Sequence, residues 1–193
     1  MANIITLSRI FLAFIAMGLL FYDVKYALVS LILTIFVMWF DGLDGYVARK
    51  FNETSKLGAV LDIMGDRIVE NLYWMSFCAL GWISVLVPII VLTRGIVTDS
   101  LRSLALAQGF TAFGEKTMMQ GKIAKFIVAS NFSRFTYAVC KALAFLLLIA
   151  GHLKFNTDHT LYIIGLICTW ISVIFCVLRG LPVVFESKRF LKD

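Results

Sequence analysis

Four aspartates stand where an apolar chain has least room for them. Asp41 and Asp44 are spaced i, i+3, and Asp62 and Asp66 are spaced i, i+4, so each pair lies on one face of a helix. All four fall within 26 residues, in or beside apolar helical stretches. A single ionised Asp near a bilayer centre costs about 3 kcal/mol even on lenient scales, and four like charges meeting there add repulsion. Only a bound cation, an Arg or Lys, or protonation can compensate. Carboxylate oxygen is the ligand that Mg²⁺ or Mn²⁺ prefers. Two helices bringing two carboxylates each can build a two-metal site, which grips phosphate oxygens and stabilises attacking and leaving groups in a displacement. The structural alternative is a set of helix-end acids reaching the membrane interface or pairing with Arg49 and Arg67.

Between the acid pairs lie Gly45, Ala48, Arg49 and Gly58. Gly45 and Ala48 continue the face of Asp41 and Asp44, and small residues there leave room for a flat ligand or let helices approach closely. Arg49 adds a fixed cation with bidentate geometry for phosphate. Acids for metals, a cation and a small-residue floor together suit a nucleotide diphosphate better than packing alone.

The elements that must hold these residues are membrane helices. Of 193 residues 61% are hydrophobic and only 16% charged, which excludes a disordered chain and an ordinary water-soluble fold. Apolar runs fall at Ile4–Tyr22, Tyr26–Phe40, Leu57–Leu80, Trp82–Val97, Phe126–Leu153 and Leu161–Phe185. They predict an all-α integral membrane protein with six transmembrane helices forming one domain over residues 1–193. Charge sets the orientation. Arg49, Lys50 and Lys56 crowd the second loop, Arg94, Arg102, Lys116, Lys122 and Lys125 the fourth, and Lys188, Arg189 and Lys192 the tail. The odd loops are nearly bare, so both termini are expected on the cytoplasmic side. The net charge of +6 reads as this bias rather than as nucleic-acid binding. Asn3, Thr6 and Arg9 share one helix face, which is expected to look into the bundle. Cys78, Cys140, Cys168 and Cys176 form no C-x-x-C pair and read as small core residues. His152 and His159 fall in a polar stretch that reads as a solvated loop.

The pattern Asp41-x2-Asp44-Gly45-x2-Ala48-Arg49-x8-Gly58-x3-Asp62-x3-Asp66 resembles, at every position, the signature of the CDP-alcohol phosphatidyltransferases. The resemblance implies transfer of a phosphatidyl group from CDP-diacylglycerol to an alcohol, with release of CMP. It implies that Asp41, Asp44, Asp62 and Asp66 hold two divalent ions, Mg²⁺ or Mn²⁺, and that Asp66 is also the general base. Asp44, Gly45, Ala48, Arg49 and Gly58 would line the CDP site. A homodimer among membrane lipids, opening to the cytoplasmic side of a bacterial membrane, is implied as well. An alcohol is a far weaker acid than a carboxylic acid, so Asp66 takes the proton only as attack develops or if a cation acidifies the hydroxyl.

The acceptor is written less plainly. Arg94, Arg102, Lys122 and Lys125 suit an acceptor that itself carries phosphate; ordinary loop charge is the alternative. Their order, and Asn3-x-x-Thr6-Leu7-x-Arg9, resemble phosphatidylglycerophosphate synthases, which implies sn-glycerol 3-phosphate as acceptor. The chain departs from that pattern at Ile63, Arg67 and Gly95, where Pro, Lys and an acid are usual. Arg67 is more like inositol-type members, so inositol phosphate or inositol stays open, with serine behind. A different class, a divalent-cation transporter, would use buried acids but has no need of the Gly, Ala and Arg positions.

Overall fold

A computed structural model of the chain describes residues 2–50, 56–107, 121, 126–128, 130–153 and 159–187. Among the described residues there is no strand, and six long helices follow one another. They are α1 (Ala2–Tyr22), α2 (Ala27–Lys50), α3 (Lys56–Ala79), α4 (Leu86–Ala107), α5 (Asn131–Ala150) and α6 (Thr160–Ser187). A 3-10 turn, Val24–Tyr26, separates α1 from α2, and the Asp23 carboxylate caps it by accepting from the Lys25 N–H at 2.8 Å.

Four stretches are long and apolar enough to cross a membrane: Asn3–Tyr22, Val24–Gly42, Phe132–Ala150 and Thr160–Ser187. That composition is the composition of an integral membrane protein. Helices α3 and α4 are as long but carry charge along their length: Asp62, Asp66, Arg67 and Glu70 on one, Arg94, Asp99 and Arg102 on the other. The helix boundaries differ from the apolar runs in an informative way. The second run ends at Phe40, yet α2 continues to Lys50 and carries all the residues from Asp41 to Arg49. The fourth run ends at Val97, yet α4 continues to Ala107, so Arg102 is a helical rather than a loop residue, as is Arg94 within the run itself. Hydropathy marks where lipid contact stops, and helical hydrogen bonding does not stop there.

The chain divides into two compact units, Met1–Val85 with Ala142–Ile167, and Leu86–Lys141 with Cys168–Asp193. In the first, α1 packs against α2 and α3. The buried stripe of α1 runs Thr6, Arg9, Ala13, Ala16, Met17 and Leu20; that of α2 runs Ala27, Ser30, Thr34 and Val37. Both have helical spacing, and both are rich in small residues that allow close backbone approach. The Tyr73 hydroxyl of α3 donates to Thr34 Oγ1 at 2.9 Å, and Thr34 donates to the Ser30 carbonyl at 2.7 Å, so these two hydroxyls are satisfied inside an apolar core, whereas the buried Ser30 Oγ has no partner among the described residues. Tyr73 also stacks on Phe145 of α5 at 4.7 Å.

Gly81 ends α3. Its φ of +75° is open to glycine at little cost. The Trp82 N–H reaches back to the Phe77 carbonyl and the Gly81 N–H to the Cys78 carbonyl, while Trp82 stacks on Phe77; these are the bonds and the apolar contact of a Schellman cap. His152 belongs to this cluster and not to a solvated loop as its polar neighbours suggest. Its ring lies 3.7 Å from that of Trp82, Nδ1 meets the Leu148 carbonyl at 2.9 Å, and the Tyr162 hydroxyl donates to the Trp82 carbonyl. His159 is the exposed member of the pair. The four cysteines are free thiols.

Candidate active site

The acid face is assembled in the first unit by three helices. The buried stripe of α2, Ala27-Ser30-Thr34-Val37, advances by three and four residues and arrives next at Asp41. On α3 the stripe Phe77-Tyr73-Val69 runs the other way to Gly65 and Asp66, with Asp62 one turn beyond. Both carboxylate positions are thus continuations of packed faces, which fixes their rotation about each helix axis. Asp41 stands where the apolar part of α2 gives out.

Between the two helices sits Arg9 of α1. Its Nη2 donates to Asp66 Oδ1 at 2.8 Å, and its Nη1 donates to Asp41 Oδ1. The guanidinium is 1% exposed, whereas each aspartate side chain is 53% exposed. The cation therefore approaches from the protein interior and the carboxylates present their other side to the surroundings. A buried guanidinium without such partners would cost several kcal/mol, so the pairing sets where all three helices sit. Gly65 makes the contact possible. A Cβ there would lie 2.9 Å from Thr6 Cγ2 and 3.0 Å from Arg9 Nη2.

Asp62 is exposed on α3 and Gly58 is half-buried one turn earlier. Asp44, Gly45, Ala48 and Arg49 lie on the last turns of α2, and their side chains fall outside the described residues. Arg67 Nη1 donates to Glu70 of its own helix at 3.2 Å. Arg9 is the residue that spacing alone passed over as a site residue. Its inward face was legible, but not which acids it would meet, because those lie 32 and 57 residues away.

Among the described residues no three Asp, Glu, His or Cys side chains form a ready-made metal cage. The donor set nevertheless fits a hard divalent cation. It is all carboxylate oxygen, and Arg9 demonstrates that positive charge is accepted between Asp41 and Asp66.

The second unit holds the cations. Arg94 and Arg102 lie on α4, while Lys122 and Lys125 fall outside the described residues. Arg179 of α6, which the sequence did not single out, is buried and donates to Ser133 Oγ at 3.4 Å and to the Val128 carbonyl at 3.3 Å. Arg94, Arg102 and Arg134 are all near enough to act on its charge. The Arg94 side chain lies across Gly180, where a Cβ would come within 2.9 Å of its Cγ. A cleft of ≈ 360 Å³ opens beside it, walled by Ile89, Val97, Val177 and Leu181. Asp99 pairs with Arg102 of the same helix at 3.9 Å.

A family model for CDP-alcohol phosphatidyltransferase matches residues 1–178. The chain belongs to the CDP-alcohol phosphatidyltransferase family. The matched stretch includes Arg9, all four aspartates, Arg94 and Arg102. A Pseudomonas fluorescens protein named CDP-diacylglycerol–glycerol-3-phosphate 3-phosphatidyltransferase is 30% identical over 162 residues, covering 77% of this chain and 82% of that protein. Proteins of the same name in Aquifex aeolicus and Treponema pallidum are 33% and 31% identical over 75 and 107 residues. Those two alignments cover 39% and 55% of this chain, and the chain spans 41% and 49% of the lengths of those relatives. In this CDP-alcohol phosphatidyltransferase a cation from α1 pairs with Asp41 of α2 and with Asp66 of α3.

Proposed function

We propose that the chain transfers the phosphatidyl group of CDP-diacylglycerol to sn-glycerol 3-phosphate, giving phosphatidylglycerophosphate and CMP. The observation that carries this is the convergence of Asp41 and Asp66, from different helices, on one guanidinium in a chain of this family. The names of the relatives support the acceptor, as does the arginine group of the second unit, whose chemistry suits a phosphate-bearing alcohol.

Asp41, Asp44, Asp62 and Asp66 would hold two divalent ions, Mg²⁺ or Mn²⁺. Bound there, such ions would polarise phosphoryl oxygens and offset the charge that develops on them. Arg49 would contact the diphosphate, with Gly45, Ala48 and Gly58 leaving room for the cytidine nucleotide. The acceptor hydroxyl oxygen bonds to the phosphatidyl phosphorus, the bond from that phosphorus to the CMP oxygen breaks, and Asp66 takes the hydroxyl proton as attack develops. Arg94, Arg102, Lys122 and Lys125 would hold the acceptor phosphate. Six spans, cytoplasmic termini, a site facing the cytoplasm of a bacterial membrane and a homodimer complete the proposal, supported by the loop charges and the helix lengths.

An acceptor panel tests it. Purified protein with CDP-diacylglycerol and Mg²⁺ or Mn²⁺ is offered glycerol 3-phosphate, inositol 1-phosphate, inositol and serine in turn, and CMP release is read with lipid mass. Product with glycerol 3-phosphate supports the assignment. Product only with an inositol compound or serine replaces the acceptor, and metal-driven stabilisation without any response to cytidine nucleotide favours a cation carrier.

A further inference from the structure

We infer that Arg9 is a positioning residue for the metal site: a fixed clamp that holds Asp41 and Asp66 in ligating register from behind, before and after the metal arrives. The inference rests on the proposed metal-dependent transfer. Four features of the geometry lead to it. Arg9 uses one nitrogen for each acid, Nη1 for Asp41 and Nη2 for Asp66, so its planar fork fixes one carboxylate relative to the other. Both bonds end on Oδ1. Oδ2 of each half-exposed side chain is then the atom offered to a cation coming from outside. The guanidinium itself has no route outward, being 1% exposed and backed by the Gly65 backbone and Thr6. Finally, the two acids belong to different helices and repel each other, so something must hold α2 and α3 together when no metal is present.

A guanidinium could equally stand in the metal's place and compete with it. The burial difference argues against that arrangement, because a competitor would occupy the exposed side of the carboxylates. Charge permits the clamp as well. Two carboxylates on one guanidinium still leave a net negative charge facing a divalent ion. Outer partners that orient metal-bound carboxylates typically contribute 10–100-fold to metal affinity. The clamp and the competitor therefore predict opposite signs for the same substitution.

The experiment compares wild type, Arg9→Gln and Arg9→Lys as full-length protein in detergent, stripped of metal. Mn²⁺ binding is titrated by the loss of the free-ion electron paramagnetic resonance signal, and thermal unfolding is followed with chelator and with Mn²⁺. The clamp predicts Mn²⁺ affinity about 10–100-fold weaker in Arg9→Gln. It predicts an intermediate loss in Arg9→Lys, which keeps the charge but reaches one acid at a time. Tyr73→Phe, which removes a buried hydrogen bond in the same unit, is expected to lower the melting temperature and leave Mn²⁺ affinity alone. That separates positioning from general stability. Unchanged or tighter Mn²⁺ binding in both Arg9 variants overturns the clamp while leaving the metal site standing. Should Arg9→Gln not fold, Arg9→Lys decides alone, and affinity equal to wild type rejects the clamp. Absence of Mn²⁺ binding by wild type removes the clamp together with the metal site.

Discussion

Arg9, Asp41 and Asp66 form a three-helix junction from three side chains, and its neighbours show how little slack it has. Gly65→Ala places a methyl where Thr6 Cγ2 and Arg9 Nη2 already lie within 3.0 Å. Thr6 is stiff at χ1 and Arg9 is pinned by two carboxylates, so neither yields cheaply. The substitution is expected to cost about 1–3 kcal/mol, read as a lower melting temperature with chelator present; an unchanged melt would mean the junction is looser than its distances. Asp66→Asn keeps a side chain that can accept from Arg9 but no longer takes a proton. Binding of CDP-diacylglycerol is expected to survive better than turnover, compared by equilibrium binding and CMP release. Equal loss of both would make Asp66 a metal holder only. At this scale the signature acids were legible because their spacing is local. The Arg9 pairing was not, since no rule of spacing connects α1 to residues on two later helices. Arg67 shows the reverse case: a cation three residues from an acid finds it on its own helix.

Among the elements, α3 was foreseen as an apolar run that already contained Asp62 and Asp66, and residue spacing put Asp41, Asp44, Gly45 and Ala48 on a helix face beyond the run that ends at Phe40. The proposed site uses the turns of α2 that follow its apolar part, and hydropathy is blind to a helix that continues as a polar one. The same blindness placed Arg102 in a loop when it rides on α4, and the loop-charge count put Arg94 there although it lies within the apolar run. The turn after α5 gave the other miss. His152 has polar neighbours in sequence but packs on Trp82, and tertiary contact outweighed them. Burial holds its imidazole below the ordinary range, with His159 nearby pushing the same way and the Leu148 carbonyl opposing. The folded state therefore binds this proton less readily than the unfolded state. Stability is expected to fall as pH drops below about 6.5, the ordinary histidine value. His152→Phe keeps an aromatic ring on Trp82 and cannot charge, so its melting temperature should vary less between about pH 5 and 7. Parallel pH profiles for the two proteins would remove His152 as the cause.

For the whole molecule, composition alone indicated membrane helices, and the family match over residues 1–178 agrees with the signature that the acids spell out. Chelation should abolish transfer reversibly, with activity returning on addition of Mg²⁺ or Mn²⁺; full turnover in excess chelator would reject the metal site. Arg102→Ala is expected to raise the KM for the acceptor more than it lowers kcat, measured with glycerol 3-phosphate as the varied substrate, and a fall in kcat alone would move the acceptor site elsewhere. The junction at Arg9 also bears on how the protein is made. Helix α1 is synthesised before its partners and carries into the bilayer a charge whose carboxylates follow 32 and 57 residues later. Until α3 has been inserted, that charge must be tolerated by lipid headgroups or by the insertion machinery. A nascent chain halted before Asp66 should thus hold α1 at the interface, and its completed crossing should coincide with the arrival of α3.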